Sequence, residues 1–305
     1  MPDDDILRPS KKYRPTEASL DLAERIARAQ GVAFDREATR KLGGDLHGVM
    51  FADLAHVLGI EPKTIRFHSG VYPAARAFTA RSGDGTPAVV LDMIFDHWVL
   101  SLTHMVCICT FTLPDHDERQ QITDDVTSLF ELFSFSGNFE ESRRRMARYL
   151  LHPEYQKGPL NIASALARAM VVFVLCHELA HVHLDHLASA EPDAQTELQA
   201  DARAVDYFRR VVAFGRTDRN THIHVDPKMA GAPLILSMIL ELYEAWLVSR
   251  GTKLGDVSRH PPASLRTAQL HKMMDADLNE TALEIAVGAR HAIEDIAEWL
   301  GLPSS

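Results

Sequence analysis

The sequence predicts an α+β fold that is mostly α, with one small antiparallel sheet. Apolar residues recur at three- and four-residue intervals over most of the chain, the period of a helix with one buried face. Between Thr64 and Val99 that period gives way to short β-like runs broken by the turn-rich "RSGDGTP". A chain of 305 residues that is 46% hydrophobic is also long enough to bury a full core.

After a polar tail, "EASLDLAERIARAQ" and "MFADLAHVLGI" place their apolar residues on one helical face. The stretch 52–66 has the look of a helix-turn-helix with Gly59 at its turn. The plainer alternative is a helix capped by Gly59 and then a strand from Thr64, and it is favoured because Lys and Arg are not concentrated there. "TIRFHSG", "RAFTA" and "AVVLDMIF" then make a small hairpin or meander. Helices are expected around 125–134, through 139–151, along a long segment ending in "VVFVLCHELAHVHLDH", and from near Ala194, Pro233, Ala263 and Thr281.

Composition narrows the function. A net charge of −10 argues against broad nucleic-acid binding, which depends on neutralising phosphates. The uncharged runs Ala169–Cys176 and Met229–Leu240 fall short of the ~20 residues a membrane helix needs, so no span is expected. The N-terminus is acidic and then basic with no apolar core, so no secretion signal is expected and a cytoplasmic location is the default. Cys107, Cys109 and Cys176 have no disulfide-framework spacing and fit free buried thiols in a reducing compartment; Cys107 and Cys109 would share a face if their stretch were a strand.

The chemistry gathers in "HELAHVHLDH". His177 and His181 are four apart, so on a helix both imidazoles can reach one ion. Glu178, rotated by about 100° from His177, can hold a water beside that ion rather than bind it. A third ligand of the H-E-x-x-H-x-x-G-x-x-H kind is excluded, because positions 184 and 187 are Leu184 and Leu187. A carboxylate from a following helix remains. If the first helix runs on to about Ser189 and "AEPDAQ" turns the chain back, Glu197 can reach the ion. Asp201, one turn further, can accept the second N–H of a ligand histidine. Burying this set without a charge partner would be costly. Two imidazoles and one carboxylate suit zinc best, one Zn²⁺ per chain. His183 and His186 point off the ligand face, Asp185 shares the face of His181 but reads most simply as a solvated acid, and Cys176 reads as core.

These residues resemble the gluzincin metallopeptidases, whose pattern is H-E-x-x-H followed by E-x-x-x-D. Within that group "ELQADARAVD" is similar to a segment of the HtpX-type heat-shock peptidases and the CAAX prenyl proteases. "ARAFTARSGDGTPAVVLDMIFD" looks like that family's hairpin, which implies a zincin-like domain with an edge strand flanking the active site. "RHPPASLRTAQL" is similar to its H-P-x-x-x-x-R signature, which implies that His260 or Arg266 lies near the site. Either could steady an oxyanion, although a proline start to a helix explains Pro261 and Pro262 with no function.

The resemblance implies a zinc-dependent endopeptidase acting on peptide or protein substrates, with Glu178 as general base. It divides the chain into a tail and helical segment, 1–62, and a metallopeptidase domain, 63–305, with a helical insertion at about 99–160. Two alternatives stay open. One is a protease of the phage-exclusion or helix-turn-helix-associated regulatory type that cuts a single target. The other is a non-catalytic zinc-stabilised module, closed by a fourth ligand from His183, His186 or His260.

Overall fold

The computed structural model describes residues 17–29, 33–37, 46–70, 77–134, 139–152, 155, 158–188, 193–215, 222–252 and 261–303. Along them run α1 (Glu17–Ala29), α2 (Leu46–Leu58), β1 (Arg66–Gly70), β2 (Ala77–Arg81) and β3 (Pro87–Asp92). Helices α3 (Met93–Phe111), α4 (His116–Phe133), α5 (Phe139–Leu151) and α6 (Pro159–His183) follow. The chain continues with α7 (Ala194–Gly215), α8 (Ala232–Ser249), α9 (Ala263–Met274) and α10 (Glu280–Trp299). The fold is α+β and mostly α.

Helix α6 is the axis of the core. Pro159 opens it at a position that needs no backbone N–H, and every residue from Ala169 to His181 is buried. A helix apolar on all sides must be surrounded, and α3 and α7 pack along it most extensively, with α8 and the sheet beside them. The stretch 99–160, expected as an insertion, supplies α4, α5 and most of α3, whose Leu102, Ile108, Val126, Phe130 and Met146 join the same cluster of buried side chains as α6. Met50, Phe51 and Leu54 of α2 belong to that cluster too.

The sheet is mixed rather than antiparallel throughout. Its order is β1-β3-β2, with Phe67 opposite Val89 in a parallel pair and Thr79 opposite Val89 in an antiparallel one. The tight turn after β2, where Ser82 N–H donates to the Thr86 carbonyl at 2.8 Å, returns β3 into the gap beside β1. That leaves β2 at an edge, packed against α6 and the 3-10 turn His186–Ala188.

Several boundaries differ from the sequence expectation. The last β run stops at Asp92, whose side chain accepts from Ile94 N–H and caps α3. Cys107 and Cys109 therefore lie on a helix about 200° apart and not on one strand face. Burial pushes both thiols up to about 12, which keeps them protonated and unreactive. Helix α4 begins at His116, well before 125, because Asp115 and Glu118 form a capping box. The helix-turn-helix likeness over 52–66 dissolves: α2 ends at Leu58, Gly59 takes φ 70°, and only a 3-10 turn, Pro62–Thr64, separates it from β1.

No membrane span is expected from the short uncharged runs, yet three apolar segments are longer than those runs. Met93–Phe111, Pro159–His183 and Pro227–Ser249 are each long and apolar enough, by length and composition, to cross a membrane, because a span tolerates an occasional charge that breaks the run.

Gly288 lies where α10 packs on α3. A Cβ there would lie 2.7 Å from Cγ2 of Thr110, whose rotamer is held by its hydroxyl donating to the Val106 carbonyl at 2.8 Å. Alanine would gain about 1 kcal/mol of helix propensity, against an overpacking cost of about 1–3 kcal/mol. Gly288→Ala is expected to lower stability in denaturant titration, and adding Thr110→Ser, which removes Cγ2, is expected to convert the loss into a gain.

Candidate metal centre

The last two turns of α6 carry the polar end of an otherwise apolar helix. His177 and His181, one turn apart, turn their Nε2 atoms toward each other at 3.0 Å, with ring centroids 4.7 Å apart and nearly perpendicular. Glu197, in the first turn of α7, brings Oε2 to 3.3 Å from His177 Nε2 and Oε1 to 3.5 Å from His181 Nε2. These three are the one set of metal-capable side chains that converges among the described residues. Glu178 is buried beside them.

Each histidine is backed on its other nitrogen. Nδ1 of His177 lies 2.9 Å from Asp201 Oδ1, close in distance but off-axis for a hydrogen bond, so the contact is chiefly one of charge. Asp201 is fully buried and is gripped by Arg266, whose Nε donates to Oδ2 at 2.7 Å and Nη2 to Oδ1 at 2.6 Å. Such a two-point fork is the strong form of the carboxylate–guanidinium pair. Nδ1 of His181 lies 3.0 Å from Nδ1 of His186.

The charges follow from these contacts. Burial alone would lower the pKa of His177, but the Asp201 and Glu197 carboxylates override it and raise it to about 10. Burial, with the charge on His177, pushes His181 down to about 4. Burial would raise Glu197, yet its contact with His177 brings it down to about 2. Asp201, which burial would also raise, is held well below the usual carboxylate range by Arg266 and His177. The contacts thus favour the charged form of His177 and the neutral form of His181.

A family model described as Peptidase U49 matches residues 98–286. The chain belongs to the Peptidase U49 family. No curated protein and no solved structure matches it. The matched stretch runs from α3 into α10 and contains the whole cluster, as well as the segment expected to be an insertion. Peptidase U49 membership makes proteolysis the activity that the family supports.

Other sequence expectations fare differently in this Peptidase U49 chain. Arg266, a candidate for the oxyanion, has its Nε and Nη2 committed to Asp201, whose Oδ1 faces Nδ1 of His177. His260, the other candidate, lies outside the described residues. Helix α6 ends at His183 and not near Ser189, since Asp185 turns to φ 53° and takes the chain off the helical path. Asp185 accordingly leaves the face of His181 and pairs with Arg81 at 3.0 Å. His183 meets the Tyr207 hydroxyl, and Cys176 is buried core.

His186 is the residue that sequence reasoning set aside, because a continuous helix would have carried it off the ligand face. The signal that could have found it is the Leu184–Asp185 pair as a helix stop, which needs no glycine when an Asp accepts the left-handed conformation. Removing the Arg266 side chain leaves the fully buried Asp201 charge without its main partner. Arg266→Ala is expected to cost about 3–5 kcal/mol in denaturant unfolding, and Arg266→Lys, which offers one point charge to two oxygens, is expected to recover only part.

Proposed function

We propose that this Peptidase U49 chain is a zinc-dependent endopeptidase of the gluzincin type, with His177, His181 and Glu197 as ligands and Glu178 as general base. The observation that carries the reading is the spacing of the donors. Ligand atoms at about 2.0–2.1 Å from a tetrahedral zinc sit about 3.3–3.4 Å from one another, and the three distances here are 3.0, 3.3 and 3.5 Å. Two nitrogens and a carboxylate are a donor set that suits zinc and leaves a fourth position for water or substrate.

When bound, zinc polarises a carbonyl oxygen and lowers the pKa of water toward ~7. The protein's own groups do the rest. Glu178 takes a proton onto its carboxylate from the attacking water and returns it to the leaving amine. The Asp201 charge 2.9 Å from Nδ1 favours the form of His177 with its proton there, which leaves the Nε2 lone pair facing the other two donors. Arg266 holds Asp201 ionised for that task. The edge strand β2 offers backbone groups to an extended peptide.

A closed, structural zinc site finds less support, because His183 and His186 are turned to Tyr207 and to the far nitrogen of His181.

Elemental analysis of protein purified without added metal is expected to give about one zinc per chain, and little in Glu197→Ala. Equal zinc in both would remove Glu197 from the ligand set. Glu178→Gln is expected to keep its zinc and to cleave a proteome-derived peptide library at least ~100-fold more slowly. Unchanged cleavage would sink the general-base assignment.

Zinc uptake should also displace a proton. Without a bound ion His177 is held protonated and His181 neutral between about pH 4 and the ~7 at which zinc-bound water itself ionises, so in that window one proton leaves His177 per ion bound. Apparent affinity is expected to weaken about tenfold for each unit the pH falls in that window. Calorimetry in buffers of different ionisation enthalpy reads the proton count directly.

A further inference from the structure

We infer that His186 is a positioning residue for the ligand His181, and that the Arg81–Asp185 contact ties it to the edge strand β2. The inference rests on the zinc reading and extends it to the regulation of the site's geometry. If the Nε2 lone pair of His181 faces the other donors, its proton sits on Nδ1. The 3.0 Å contact between the two Nδ1 atoms is then a hydrogen bond donated by His181 and accepted by His186, which carries its own proton on Nε2. The two ligand histidines are thus held by different chemistry. His177 faces a buried carboxylate locked by Arg266, whereas His181 leans on a half-buried imidazole.

That imidazole is placed by a short, strained segment. Asp185 has φ 53°, the single non-glycine residue in the left-handed region among the described residues. The turn it makes is what brings His186 back toward His181, since an uninterrupted helix would place position 186 about 140° away around the axis. Asp185 Oδ1 accepts from Arg81 Nη2 at 3.0 Å, and Arg81 is the last residue of β2. The same guanidinium donates through Nη1 to the Gly85 carbonyl in the hairpin turn at 3.2 Å. The 3-10 turn His186–Ala188 itself packs on β2. A displacement of the edge strand therefore has a short mechanical route, Arg81 to Asp185 to His186, to the orientation of one ligand. The ion pair is exposed and adds little stability. Its role is to fix a position.

The test compares zinc affinity, by chelator competition, and the visible spectrum of the Co²⁺-substituted protein for the wild type, His186→Ala, His186→Asn, Arg81→Ala and His183→Ala. His186→Ala is expected to bind zinc 10–100-fold more weakly and to shift the Co²⁺ bands, with the unfolding midpoint of the ion-free protein little changed. His186→Asn, whose amide oxygen can accept the same hydrogen bond, is expected to recover part of the affinity. Arg81→Ala is expected to show a smaller loss of the same kind, and His183→Ala, next to His181 in the chain but turned to Tyr207, none. If the wild type binds zinc and His186→Ala matches it in affinity and spectrum, the positioning role is overturned while the zinc reading stands. If the wild type binds no zinc, the zinc reading falls and this inference falls with it.

Discussion

The two oxygens of Asp201 join three helices. Arg266 on α9 grips them from one side and His177 on α6 meets one of them from the other, while Asp201 itself belongs to α7. A fully buried carboxylate is tolerated only when its charge is answered, and here a guanidinium fork and an imidazole answer it. The relative placement of α6, α7 and α9 is consequently set by charge at the same point where the functional cluster is built. Glu197 lies one turn before Asp201 on α7, so whatever fixes Asp201 also fixes the distance from Glu197 to the two histidines.

Helix α6 adds a second constraint. Burying every residue from Ala169 to His181 leaves no solvated face on which His177, Glu178 and His181 could be solvated independently. Their polarity has to be satisfied by neighbours, and the neighbours are themselves polar or charged: Asp201, Glu197 and His186. The burial that makes the helix stable is therefore also what concentrates the charges. It also explains why α6, α3 and α8 have the length and composition of membrane helices. Surrounding a helix with apolar neighbours and surrounding it with lipid select the same residues over the same length.

What was legible in the sequence depended on how local the determining interaction is. His177, Glu178 and His181 were legible because their relation is fixed within one helical turn. Glu197 and Asp201 required a guess about where the chain turns back, and their shared face survives an error in that guess because it too is a one-turn relation. Arg266 could be placed near the cluster but not given its partner, since nothing in "ASLRTAQ" says which way α9 faces. The mixed sheet was hidden for a similar reason. Alternation reveals strands, whereas the insertion of β3 between β1 and β2 is a pairing between distant residues. The start of α3 at Met93 was masked because the apolar run continues unbroken in character past Asp92, and only that residue's capping side chain ends the strand.

The end of α6 shows how one backbone torsion separates two accounts of the same residues. Continued helix would put Asp185 beneath His181 and His186 on another face. With Asp185 at φ 53° the order is exchanged: Asp185 swings out to Arg81, and His186 comes in to His181. Asp is one of the few residues with a side chain that enters this region at modest cost. A glycine would enter it more easily but would supply no carboxylate to Arg81, and an alanine would favour the helix and carry His186 away. The residue type at 185 meets both requirements at once, which is why a position that reads in the sequence as an ordinary solvated acid is a determinant of the site's geometry.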